Sequence, residues 1–333
     1  FLDSDIVHVN LENPITDQCF RDKKGTLLKS PKDIIKYFIK YNINICNLAN
    51  NHVMDCGEDG LSDTIFLLRT NNIDYYGIGP YKKYIIVKRE GISIALISSC
   101  SSWGGKEGPF FNNTNVAPYN FSLNEIKEII DEIKKSINVD YIIYNYHGGT
   151  EFNLIPEINR IKFFKDLINI GVNIIIGHHA HVPQGVGFIN NSIIIYGLGN
   201  FLFDIPYHRS YCCTSESYFV QLRIDKNAIN LNKYFYYLDL ENGKVMLNTS
   251  NTKIEKLIDD SKLILEKKDL YIKAWEKDCF RLYLSPIINS INSNSNNNGL
   301  LMKKNNKILK FKHLFLFLTL TIFDLLMSIG AFF

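Results

Sequence analysis

Short apolar runs at about 5–12, 42–48, 92–99, 140–146, 172–177 and 192–197 alternate with amphipathic stretches at about 31–41, 59–71, 122–137 and 157–170. Runs of this kind, rich in isoleucine and tyrosine, read as buried strands; stretches with apolar residues three and four apart read as helices. Their alternation restricts the chain to a layered α/β domain built on a largely parallel sheet. The helix over 122–137 is the clearest. Ser122 stands where a cap is needed, Glu125 follows three residues on, and Ile126, Ile129, Ile130 and Ile133 share one face. Beyond Asn200, residues 218–224 and 233–240 alternate as antiparallel strands do, and 253–285 read as a peripheral helical extension.

The ends of these runs carry the chemistry. Ile174-Ile-Ile-Gly-His-His-Ala-His181 drives an apolar strand into three histidines. The first run ends at Glu12, Ile43 to Leu48 leads into Asn50-Asn51-His52, and Tyr141 to Tyr146 ends at His147. In an open α/β sheet, groups at the carboxyl ends of parallel strands meet at one edge. Imidazoles packed together without a metal would repel when protonated and leave donors unpaired when buried, so the triplet reads as metal ligands. Alternate residues of an extended segment share a face, which makes His179 and His181 the pair and His178 a supporting member. His8, alone in mid-strand, reads as a hydrogen-bonded core or surface group. Asn50 to His52 is either a turn held by Asx hydrogen bonds or an amide ligand with an imidazole acid beside it. Glu12 could bridge two cations, and equally could cap a helix or pair with a lysine. The glycines of Tyr146-His-Gly-Gly-Thr-Glu151 let backbone approach a bound group. Gly197-Leu-Gly-Asn200 reads as a tight turn near the site floor.

A net charge of +3 with no basic stripe excludes an electrostatic grip on nucleic acid. Seven cysteines without a CxxC spacing predict no disulfide framework; Cys46 and Cys100 fall in apolar runs, and Cys212-Cys213 has no reading. Residues 289–312 form an Asn/Ser-rich and then basic linker, too polar to bury. The tail, 313–333, is apolar apart from Asp324. Roughly 20 apolar residues span a bilayer, whereas a mid-span charge costs about 2.5–3.5 kcal/mol on insertion scales. A membrane anchor and a packed or surface helix therefore both stay open.

Asn10-Leu-Glu12, Ala49-Asn-Asn-His52 with Asp55 and Gly57, His147-Gly-Gly with Glu151, Gly177-His-His-Ala-His181 with Val182 and Gln184, and Tyr196 to Phe201 stand in a recognisable order. Together they resemble the CapA family of bacterial capsule, or poly-γ-glutamate, synthesis proteins, which is similar to the calcineurin-like metallophosphoesterases. The resemblance covers residues 1 to about 240 and implies one domain over 1–250. It implies an α/β/β/α four-layer sandwich, a centre of two divalent ions (Mn, Fe or Zn) and phosphoester-type hydrolysis. Glu12 takes the place of the bridging carboxylate; Asn51, His147 and His179 ligate the second metal, and His181 turns toward the first. His52 is the implied acid, with Asp55 and Glu151 beside it among the catalytic residues. The family's opening strand, ending in Gly-Asp, has no counterpart after Phe1, so the sandwich is expected with its N-terminal strand missing. Implied partners are an anionic polymer or phosphoester substrate, other capsule synthesis proteins and, through the tail, a membrane. The implied location is the cell envelope, or the cytoplasm if no signal precedes the chain. A different class also fits: a non-catalytic envelope protein that binds or helps export an anionic polymer.

Overall fold

The computed structural model describes residues 4–19, 26–101, 117–203, 205–248, 254–256, 258–259, 265 and 267–284. The predicted linker and apolar tail lie outside the described residues. Among the described residues no helix is long and apolar enough to cross a membrane.

The first unit runs β1 (His8–Asn10), α1 (Ile35–Lys40), β2 (Ile45–Asn47), α2 (Gly57–Thr70) and β3 (Asp74–Tyr76). Its three strands pair in parallel, in the order β1-β2-β3. After the short β4 (Ile78–Gly79) come β5 (Tyr84–Arg89), β6 (Ile92–Cys100), β7 (Ala117–Pro118), α3 (Leu123–Ser136), β8 (Tyr141–His147), α4 (Ile158–Asn169), β9 (Ile174–His178), β10 (Val186–Ile189) and β11 (Ser192–Ile195). Six of these strands form a sheet ordered β10-β11-β9-β8-β6-β5, parallel at its centre with antiparallel strands at both edges. A third, antiparallel sheet holds β12 (Glu216–Ile224), β13 (Ile229–Asp239) and β14 (Lys244–Leu247).

Three cores stack these units. Ile126, Ile130, Phe164 and Leu167 of α3 and α4 cover one face of the six-stranded sheet at Ile97, Tyr144 and Ile175. Its other face, through Ile143, Ile174 and Ile195, meets Ile45 and Tyr76 of the first sheet and Tyr218 of the third. Behind the first sheet, Leu61, Ile65 and Leu68 of α2 and Phe38 of α1 pack on Cys46, Leu48 and Tyr75. The order is helices, sheet, sheet, helices, a four-layer α/β/β/α sandwich. Ser122 and Glu125 complete the expected capping box on α3. That cap is worth about 1 kcal/mol, whereas burying each of the four isoleucines on α3 stabilises by about 2 kcal/mol. The buried stripe therefore decides where α3 lies.

Several expectations change in the structure. The run 5–12 forms a strand only over His8–Asn10, with Val7 O and Leu11 N still hydrogen-bonded to the neighbouring segment. Strands β3 and β5 were not foreseen; β3 is three residues long, and Lys88 and Arg89 leave the edge strand β5 half exposed. The C-terminal extension is integral rather than peripheral. Helix α5 (Lys268–Cys279) buries Tyr271 in the first core, and Asp278 Oδ2 accepts the backbone N–H groups of Leu154 (2.6 Å) and Ile155 (3.3 Å). Arg281 ion-pairs with Asp278 at 2.7 Å and donates to the Phe152 carbonyl at 2.7 Å. Finally, Cys19 and Cys56 form a disulfide across a sequence separation of 37. Such a bond, set by tertiary proximity, shows no spacing pattern to read.

Candidate metal centre

Strand register brings the polar ends together. Cys100, His147 and His178 stand side by side at the ends of β6, β8 and β9. Asn10, Asn47 and Tyr76 do the same in the first sheet. The site lies where these two edges face each other. Gly177 allows β9 to reach it, since a Cβ there would collide with the Tyr196 carbonyl oxygen of the neighbouring chain segment. Beyond His178 the backbone is not extended. His179 (φ +88°) and His181 (φ +57°) adopt left-handed conformations that residues with a Cβ rarely take and that concentrate at functional sites. His179 and His181 are thus paired by two sharp bends, not by strand alternation. The Ala180 carbonyl between them accepts from Phe152 N at 2.8 Å, which ties this turn to the loop after His147.

Glu12, Asn51, His147, His179, His181 and Glu151 converge. One oxygen or nitrogen from each of Glu12, His147 and His179 lies within 4.8 Å of the others, and the same holds for Glu151, His179 and His181. His179 belongs to both sets. Glu12 Oε1 lies 3.4 Å from His147 Nε2 and 3.8 Å from His181 Nε2, so it stands between the two groups of imidazoles. Asn51 Oδ1 is 2.8 Å from His147 Nε2, and Glu151 Oε1 is 3.8 Å from His179 Nε2. His52 lines the adjoining open cleft of about 230 Å3. Its Nδ1 is 2.8 Å from Asp55 Oδ2, which also accepts from Leu28 N at 2.7 Å. Asp55 is buried behind His52 and orients it rather than facing the cleft. Glu151, by contrast, stands among the potential ligands.

Sequence reading missed four supporting groups. Asn10 reaches His147 Nδ1 (3.5 Å) and Glu12 Oε2 (3.4 Å) and accepts from Asn47 Nδ2 (3.0 Å). Asn200, read only as part of a turn, places Oδ1 2.9 Å from His181 Nδ1 and thereby fixes that ring. Buried Arg160 donates to the Gly148 carbonyl and pairs with Glu157, whose carboxylate accepts from Thr150 N; together they hold the loop that carries Glu151. His208 packs edge-on to His181, with ring centroids 4.4 Å apart. Of these, Asn10 and Asn200 lay within motifs, though neither was read as a supporting group. His178 faces the interior, 3.4 Å from Asn145 Oδ1, in a network with Tyr76 and His8 (Tyr76 Oη to His8 Nε2, 3.0 Å).

Asp278 and Arg281 fasten the same loop from its far side, since the backbone they hold spans 152–155. Asp278→Ala would leave buried N–H groups without an acceptor, and we expect a loss of about 3 kcal/mol in urea unfolding. An unchanged midpoint would show that the C-terminal helix contributes nothing here.

Burial dominates the electrostatics. It drives His147 and His181 well below the usual imidazole range and His179 down to about 3, with the neighbouring histidines adding to the effect. These rings are therefore neutral and offer lone pairs. Burial, then Glu151 and Asp55, pushes Glu12 up to about 8. The consequence for the metal-free chain has a definite sign. A histidine held below its unfolded value near 6.5 stabilises the fold above that pH and loses its contribution as pH falls. His147, His178, His179 and His181 all act this way. Glu12 runs the other way, stabilising fully below about 4.5 and losing its contribution as pH rises through about 8. Four imidazoles outweigh one carboxylate, so thermal midpoints of metal-free protein should drop steeply from pH 7 to pH 5. A flat profile over that interval would contradict the buried, neutral cluster.

The donor set fits a divalent cation. Glu12 Oε1 and His179 Nδ1 are buried without hydrogen-bond partners, and native proteins rarely tolerate such orphans. A cation against Glu12 would compensate that carboxylate and make its ionised form the stable one. Nitrogen and oxygen donors of this kind suit Mn, Fe or Zn.

A four-layer sandwich with histidines, an amide and carboxylates gathered at the facing strand ends is an α/β domain built around a candidate metal centre. More particularly, the chain belongs to the bacterial capsule synthesis protein family PGA_cap, whose model matches residues 1–205. The PGA biosynthesis protein CapA of Bacillus subtilis (strain 168) is 31% identical over 235 residues, 68% of this chain and 60% of that protein. The capsule biosynthesis protein CapA of Bacillus anthracis is 29% identical over 241 residues, 68% of this chain and 56% of that protein. The chain thus spans somewhat more than half the length of these curated relatives. A crystal structure of a hypothetical protein from Thermus thermophilus, 13% identical, aligns with a TM-score of 0.44 over 70% of this chain and 88% of that one.

Proposed function

We propose that this chain is a metal-dependent hydrolase of phosphoester type that works in the synthesis of a capsule or poly-γ-glutamate polymer. The observation that carries the reading is the pair of ligand sets that share His179, with the buried, unpartnered Glu12 Oε1 between them. Family membership supports the setting. Glu12, Asn51, His147, His179, His181 and Glu151 would together hold two divalent ions, of Mn, Fe or Zn. Divalent ions, when bound, neutralise phosphoryl oxygens and activate water. The chain's own residues do the rest. Asn200 and Asn10 hold the rings of His181 and His147 in register. Asp55 accepts from His52 Nδ1–H and so aims Nε2 at the cleft, from which a proton passes to the leaving oxygen. Partners on this reading are the phosphoester or polymer substrate and other capsule synthesis proteins, and the setting is the cell envelope.

The test is the full chain supplied with Mn, Fe or Zn and assayed for metal content and for turnover of generic phosphomonoesters and phosphodiesters. Replacing His52 by alanine should leave the metal load intact and lower turnover by about 100-fold or more. A chain that binds metal stoichiometrically, turns over nothing and is indifferent to His52→Ala would instead be a polymer-handling protein without chemistry.

A further inference from the structure

Beside the ligand His181, the cleft is also lined by Phe203, Ile205, Tyr207 and His208. Nothing in the metal chemistry requires aromatic rings there. The Phe203 ring lies 4.6 Å from His181 and 5.1 Å from His208, so it borders the ligands directly. Tyr207 is 59% exposed yet held in place. Its hydroxyl lies 2.5 Å from that of Tyr211, and its ring meets Tyr211 and Phe152 edge-on at 5.2 and 6.1 Å. Phe152 and Tyr211 stack flat at 3.9 Å behind it. Thr214 fastens the turn by donating to the carbonyls of His208 and Tyr211. His208 is buried, and its Nδ1 has no hydrogen-bond partner.

Resting on the phosphoester reading above, we propose that this wall is a subsite for an uncharged ring, a sugar or an aryl group, esterified to the phosphate held at the metal centre. Exposed aromatic faces fixed in advance stack on flat or ring-shaped groups at little entropic cost. The imidazole of His208, whose buried Nδ1 has no hydrogen-bond partner, offers a hydrogen bond of the kind a hydroxylated ring uses. The described lining contains one carboxylate, Glu151, and no lysine or arginine. An anion is therefore drawn to the metal end alone, while the far end of the cleft selects by shape.

The experiment is calorimetric binding of phenylphosphonate and methylphosphonate, which cannot be hydrolysed, to the Mn-loaded full chain, with Tyr207→Ala and Phe203→Leu beside it. Phenylphosphonate should bind roughly tenfold more tightly than methylphosphonate, and each substitution should erase most of that difference while leaving methylphosphonate unchanged. Equal affinity of the two ligands, binding of neither, or a preference that survives both substitutions would overturn the subsite. Turnover of phenyl phosphate, measured in parallel, separates the two proposals. Preference without turnover overturns the hydrolase and keeps the subsite; turnover without preference does the reverse.

Discussion

Replacing His179 by alanine should strip the chain of metal altogether rather than halve its load. His179 is the one residue common to both ligand sets, so its loss leaves Glu12 with His147 on one side and Glu151 with His181 on the other. Neither remnant keeps three donors from the two sets, and the carboxylates left behind remain partly uncompensated. The expected result is loss of stoichiometric metal by elemental analysis and a fall in any metal-dependent turnover beyond about 100-fold, since weaker, outer-shell changes already cost 10–100-fold. His178→Ala is the control, because His178 turns toward Asn145 and the core. Retention of full metal content in His179→Ala, or equal loss in both variants, would refute the assignment of ligands.

The second large effect concerns Cys19 and Cys56. Their bond closes a loop with a sequence separation of 37, and constraint of the unfolded chain alone gives a stabilisation of about 4 kcal/mol. For a domain of this size, that corresponds to a drop in melting temperature of about 10 °C on reduction. The bond also bears on the site. Cys56 directly precedes α2 and follows Asp55, while the segment beyond Cys19 brings Leu28 N to Asp55 Oδ2 and Thr26 to the cleft. Reduction, or the Cys19→Ser/Cys56→Ser pair, should therefore loosen the support of His52 and lower turnover more than metal content. Thiol titration of the unfolded, unreduced chain should find five of seven cysteines reactive. Seven reactive thiols, or a melting temperature indifferent to reductant, would exclude the bond.

Much of this molecule was legible in its residues because the signals are local. Apolar periodicity marks β6, β8, β9 and α3 directly, since each buries a continuous run or stripe. Polar residues at the ends of such runs, Glu12, Asn51, His147 and the histidines after Gly177, announce a site because parallel strands deliver their ends to one edge. Less was legible where short or exposed elements carry weak patterns, as with β3 and β5. Helix α5 was read as helix but not as a packed one, for its burial depends on a surface built by α3, α4 and the loop at 152–155.

The sequence by itself determined the α/β alternation, the identity of the converging donors and the family to which the chain belongs, because periodicity and motif order are properties of neighbouring residues. Only the tertiary structure decided how those donors divide into two sets around His179, and that left-handed bends rather than strand alternation pair His179 with His181. It alone placed Asp55 behind His52, closed Cys19 onto Cys56 and set an aromatic wall beside the ligand His181. The ligand sets and the disulfide join residues tens to hundreds of positions apart, and no local preference encodes such contacts until the layers have packed.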